Sequence, residues 1–140
     1  MTTNVLTKTE RVGLAAHLHI GNSLDFMNRT PFKEATTRLL DQGVRHIVLN
    51  FADTERLDST GLGALFSLYK RLNEVEGTLV LEAISRPVQV VLQLTDAFRI
   101  FEVNTHGWAH AQAASRRPRD RGAISNSRRP VMKPYPFHAT

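Results

Sequence analysis

Apolar residues along this chain follow two alternating rhythms. Val12, Leu14, Ala16, Leu18 and Ile20 occupy every second position, with Gly13, Ala15, His17 and His19 between them, which predicts a half-buried strand over 12–20. A shorter strand over 5–8 is placed to pair with it. Thr30 and Pro31 then read as a helix start, because a threonine oxygen accepts an orphan N–H and proline fits the first turn; Gly43 reads as the stop. Between them Phe32, Ala35, Leu39 and Leu40 recur at helical spacing, leaving Lys33, Glu34, Thr37, Arg38 and Asp41 for water. The run 47–51, broken only by Asn50 and bounded by Gly43, Asp53 and Thr54, predicts a central strand covered on both faces.

The clearest helical period follows. Leu62, Leu65, Phe66, Tyr69, Leu72 and Val75 step by three or four residues, predicting a helix over 59–74 that Gly77 closes. A strand over 78–83, a helix over 85–96 capped by Ser85 with Pro87 in its first turn, and a short apolar ending over 100–103 complete the pattern. Strand and helix alternate without an internal repeat. The fold class this predicts is α/β, with a partly parallel sheet flanked by helices.

Length and charge refine that picture. At 140 residues and 41% hydrophobic content the chain fits one domain, assigned to residues 1–114. Residues 115–140 are rich in Arg, Pro and Ser, hold four of the six prolines and lack apolar periodicity, so they read as a disordered basic tail. The formal charge of +5 is concentrated there: residues 1–115 carry 11 Lys/Arg against 12 Asp/Glu, whereas residues 116–140 carry 7 against 1. Arg116, Arg117, Arg119, Arg121, Arg128, Arg129 and Lys133 would bind polyanions weakly. With only Tyr135 and Phe137 to stack bases, no specific nucleic-acid partner is expected.

Several chemistries drop out. The absence of cysteine excludes disulfides, thiolate metal sites and thiol nucleophiles, and fits a reducing cytoplasm. No apolar run is long enough to span a bilayer, and Lys8, Glu10 and Arg11 stand where an apolar leader would lie, so no membrane insertion is expected. Asn50, Asp53 and Asp58 read as loop and turn residues rather than metal ligands. His106 and His110 have helical ligand spacing, but Gly107 weakens the helix and no glutamate follows His106. His17 and His19 share one strand face, where partly exposed histidines need no ligand. Gly61 and Gly63 lack the third glycine of a dinucleotide fingerprint and the Gly-Lys-Ser/Thr ending of a phosphate loop; Gly-x-Ser-x-Gly is absent. The expectation is a protein without catalytic residues, cofactor or metal.

What remains is the run Asp58-Ser59-Thr60-Gly61-Leu62-Gly63 between the central strand and the best helix. Asp58 or Ser59 could simply cap that helix. The glycines argue for more, because two of them in a first turn cost about 1 kcal/mol each relative to alanine. Without side chains there, another protein could approach the Ser59 hydroxyl closely.

This run, after a hydrophobic strand and before an amphipathic helix, resembles the signature of STAS domains, and of bacterial anti-sigma-factor antagonists in particular. The likeness covers roughly residues 4–104 and includes Tyr69-Lys70-Arg71 and Leu92-Gln93-Leu94-Thr95. Gly21-Asn22-Ser23-Leu24-Asp25 is similar to the family's Gly and Leu-Asp segment but one residue longer. The resemblance implies a STAS-like, mostly parallel sheet flanked by helices. It implies phosphorylation of Ser59 by an anti-sigma factor that is also a serine kinase, with a serine phosphatase as a further partner. Asp58, Ser59, Thr60, Gly61 and Gly63 would form the partner-binding patch. The alternative role in the same family is a subunit of a membrane transport complex or a larger signalling assembly.

Overall fold

The computed structural model describes residues 5–103. Its elements run β1 (Leu6–Val12), β2 (Ala15–Ile20), β3 (Ser23–Leu24), α1 (Arg29–Asp41), β4 (His46–Asn50), β5 (Arg56–Leu57), α2 (Ser59–Glu74), β6 (Thr78–Glu82), α3 (Arg86–Leu94) and β7 (Glu102–Val103), with a 3-10 turn at Ala97–Arg99. The tail and the histidine pair His106 and His110 lie outside the described residues.

The main sheet has the order β1-β2-β4-β6-β7. Only β1 is antiparallel to its neighbour; β2, β4, β6 and β7 run parallel and are joined by helical crossovers, as parallel pairing requires. The fold is therefore mixed α/β with a mostly parallel sheet. β4 is the middle strand, and Ile47, Val48 and Leu49 are all buried, in keeping with a strand enclosed on both faces.

One expectation needs correction. The alternation over 12–20 is not one strand: Val12 ends β1, Ala15 opens β2, and the two pair across a two-residue turn. Gly13 takes φ +59 there, at the first turn position, where glycine is the usual solution in tight hairpins. Leu14 keeps the apolar rhythm but is 46% exposed at the turn tip. A period of two does not register a reversal that preserves parity.

One face of the sheet carries the core. Leu18, Ile20, Ile47, Leu49, Leu79 and Leu81 meet Phe32 of α1, Leu62, Leu65, Leu68 and Leu72 of α2, and Val88 and Leu92 of α3. Phe101 seals the far end, its ring stacked at 5.0 Å on Phe66 and edge-on at 5.8 Å to Tyr69. The opposite face holds a small cluster of Ala15, Val48 and Val80. α1 begins at Arg29 after Asn28, not at Thr30, and α3 begins after the expected Ser85, whose Oγ accepts the Val88 N–H at 3.4 Å.

Candidate functional site

The stretch that presents Ser59 is assembled by two elements too short to be read from the sequence. β3 and β5, two residues each, pair in parallel, Ser23 with Arg56 and Leu24 with Leu57. The Thr54 hydroxyl donates to the Gly21 carbonyl at 2.8 Å, and the Glu55 N–H donates to the Asn22 carbonyl at 2.8 Å. The Ser85 hydroxyl donates to the Thr54 carbonyl at 2.6 Å, tying the start of α3 to the same loop. The backbone entering α2 is thereby held from both sides.

Asp58 is the N-cap of α2. Its backbone is extended, and its Oδ1 accepts the Gly61 N–H at 2.8 Å. Its Oδ2 accepts the Phe26 N–H at 3.3 Å from the loop between β3 and α1. Both carboxylate oxygens thus hold backbone. Ser59 is the first residue of α2 and is exposed, and its Oγ has no hydrogen-bond partner among the described residues. Thr60 is half-buried. The Ser59 and Thr60 N–H groups belong to the first turn, which the helix itself leaves without acceptors.

The two glycines answer to different demands. A Cβ on Gly63 would meet nothing within 4 Å, so this position keeps the surface beside Ser59 low and open. Gly61 is buried, and a Cβ there would lie 2.0 Å from the Leu24 carbonyl oxygen and 2.7 Å from its carbon. The reading of Gly61 as a bare surface position is corrected: it lets the first turn of α2 pack directly on the backbone of β3.

Two exposed apolar residues in the loop held by Asp58 escaped sequence reasoning. Phe26 is 68% exposed and Met27 74% exposed in the loop that Asp58 grips. The loop is braced from within. Asp25 Oδ1 accepts the Met27 N–H at 3.0 Å, and buried Asn28 accepts the Asp25 N–H at 2.9 Å while donating to the Ser23 carbonyl at 2.8 Å. The available signal was an aromatic and a methionine in a polar stretch without periodic partners.

A second polar cluster lies on the sheet's other face. His17 is buried, with Nε2 2.6 Å from Glu82 Oε2 and Nδ1 3.2 Å from Glu10 Oε1. Asn50 donates to Glu82 Oε2 at 3.0 Å. The His19 ring lies 4.5 Å from that of His17, centroid to centroid. Burial, then the charges of His17 and Lys8, push the His19 imidazole below its ordinary value, with Glu10 and Glu82 pulling the other way. Asn50, Asp53 and Asp58 do not converge: Asn50 serves Glu82, Asp58 caps α2 and Asp53 is exposed.

The exposed Ser59 thus stands at a capped helix start, beside the clamp of β3 and β5. The STAS domain family model matches residues 5–111. The chain belongs to the STAS domain family. An anti-sigma-B factor antagonist of Staphylococcus aureus is 27% identical over 85 residues, covering 61% of this chain and 79% of the relative. Among solved structures, a candidate anti-sigma factor antagonist from Thermotoga maritima superposes with a TM-score of 0.69 at 27% identity, covering 79% of this STAS chain and 94% of the other. The anti-sigma factor antagonist SpoIIAA shares the fold in its unphosphorylated form, with a TM-score of 0.66 at 21% identity over 76% of this chain and 95% of its own. Its phosphorylated form, from Bacillus, gives 0.60 at 20% identity over 76% and 97%.

Proposed function

We propose that this STAS protein is an anti-sigma factor antagonist that binds an anti-sigma factor through the patch formed by Asp58, Ser59, Thr60 and Gly63, and that phosphorylation of Ser59 releases the complex. The observation that carries the reading is the exposed Ser59 hydroxyl, without a hydrogen-bond partner among the described residues, at the head of α2. The names of the S. aureus and SpoIIAA relatives support the class, and SpoIIAA's two phosphorylation states support the switch.

The chemistry is electrostatic. A phosphoserine adds about −1.5 to −2 charges and three acceptor oxygens at neutral pH. The unpaired first-turn N–H groups and the positive end of the helix dipole tolerate that charge, so the domain stays folded while the docking surface gains negative charge. The phosphoryl-transfer chemistry belongs to the partner, an anti-sigma factor with serine kinase activity, and a serine phosphatase would restore the binding form. Asp58, with both oxygens committed to backbone, orients the segment rather than acting as a base.

The test is a pull-down from host lysate with wild type, Ser59→Ala and Ser59→Asp, together with phosphate mapping by mass spectrometry. Wild type and Ser59→Ala should retain an anti-sigma factor. Ser59→Asp should bind at least about tenfold more weakly, roughly 1.4 kcal/mol, with an unchanged circular dichroism spectrum. Full binding by a well-folded Ser59→Asp protein would sink the switch, and recovery of a transporter in place of a kinase would favour the transport-complex role.

A further inference from the structure

The cluster on the sheet face opposite the helices has the makings of a metal centre. Glu10, on β1, pairs in register with His17 on β2, and His19 follows two residues along the same strand, so all three side chains rise from one face. One ligand-type atom from each lies within 4.8 Å of the others. The ligands of a tetrahedral zinc ion, bonded at about 2.0–2.1 Å, stand roughly 3.3 Å apart. His17 Nδ1 and Glu10 Oε1, at 3.2 Å, are already at that spacing.

Each ring nitrogen of His17 faces a carboxylate oxygen, Glu82 at 2.6 Å and Glu10 at 3.2 Å. With Nε2 turned to Glu82, Nδ1 and Glu10 are placed to share a cation. That is the carboxylate–histidine–metal relay found throughout metal sites, where the outer carboxylate fixes the ring's orientation. Glu82 is itself buried and held by Asn50, which suits that outer role. Lys8 pairs with His19 and opposes a cation, but it is exposed, with solvent to screen its charge.

We propose that Glu10, His17 and His19 bind a divalent transition-metal ion of the zinc class, with Glu82 as the positioning carboxylate behind His17 and water in the fourth place. Two histidines and a carboxylate with an open position are a ligand set zinc accepts. The ion would pin the edge strand β1 to β2. It is a stabilising site on the face away from Ser59's helix, and it stands or falls independently of the switch.

The experiment is zinc titration of the chelator-stripped full chain by calorimetry, with cobalt absorption as a report on ligand geometry. One ion per chain should bind saturably at micromolar zinc, and thermal unfolding should rise by several degrees, since a ligand specific for the folded state stabilises it. His19→Gln and Glu10→Gln should each weaken binding at least about tenfold, and Glu82→Gln by about tenfold through the ring it orients. His46→Gln, bonded at 2.9 Å to Thr78 elsewhere on the sheet, should leave binding unchanged. His17 is buried and its replacement could unfold the chain, so the half-buried His19 and Glu10 carry the decision. Absence of saturable zinc binding, or binding undiminished in folded His19→Gln and Glu10→Gln proteins, would overturn the proposal.

Discussion

Gly61 and Gly63 show how one residue type, two positions apart, answers to opposite constraints. A methyl group on Gly61 would be driven into the Leu24 carbonyl, an obstacle that only movement of α2 or β3 relieves. Gly61→Ala should therefore cost ~3 kcal/mol, read as a lower urea midpoint at unchanged slope. Gly63→Ala meets open space in a helix interior and should raise stability by about 0.5–1 kcal/mol. The same variant should weaken anti-sigma factor binding if the partner rests on that surface. A gain in stability with a loss of affinity would separate the docking role of Gly63 from the packing role of Gly61.

Between elements, the contact of α1 with α2 depends on a polar clasp that periodicity did not reveal. Arg71 of α2 donates to Thr37 Oγ1 at 2.6 Å and to Thr36 Oγ1 at 3.0 Å on α1. Thr36 is fully buried, and its hydroxyl proton goes back to the Phe32 carbonyl at 3.0 Å, leaving its lone pairs for the guanidinium. Arg71 Nε is buried without a hydrogen-bond partner among the described residues, so the two threonine hydroxyls carry this side chain's bonding to α1. Burial lowers its pKa and the charge of Asp41 opposes that. Thr36→Val keeps the shape, strands a guanidinium N–H and should cost about 1–3 kcal/mol in denaturant unfolding. An unchanged midpoint would show that water replaces the lost acceptor.

The molecule as a whole divides its labour between ends and faces. The helix-covered face carries the core, the loops after β2 and β4 present Ser59, and the other face gathers the histidines. Phe26 and Met27 stand beside the Ser59 turn with most of their surface in water, and they resemble the apolar anchors that concentrate binding energy at interfaces. Replacing both by serine should leave the thermal midpoint within about 2 °C, because neither is part of the core. The same double variant should reduce anti-sigma factor affinity at least about tenfold in a direct binding assay. Equal affinity would place the docking surface elsewhere around α2.

Much of this architecture was legible before any coordinates. Helix α2 spans the expected 59–74 because its apolar period is long, and β4 and β6 lie where short apolar runs end in glycine or acidic turns. The Asp58–Ser59 run was readable because a cap, a hydroxyl and two glycines fall within six residues of chain. The hairpin at Gly13 and the two-residue strands β3 and β5 were not, since elements shorter than one period leave no period to detect, nor was the start of α1 at Arg29, where Asn28 makes no side-chain cap hydrogen bond. Local sequence determined which segments become helix or strand and where a helix offers its first turn, because those depend on neighbours along the chain. Only the tertiary structure decided that Gly61 faces Leu24, that Arg71 reaches Thr36, and that Glu10 and Glu82 close on His17. Those contacts join residues many positions apart, and strand register and helix docking alone bring them together.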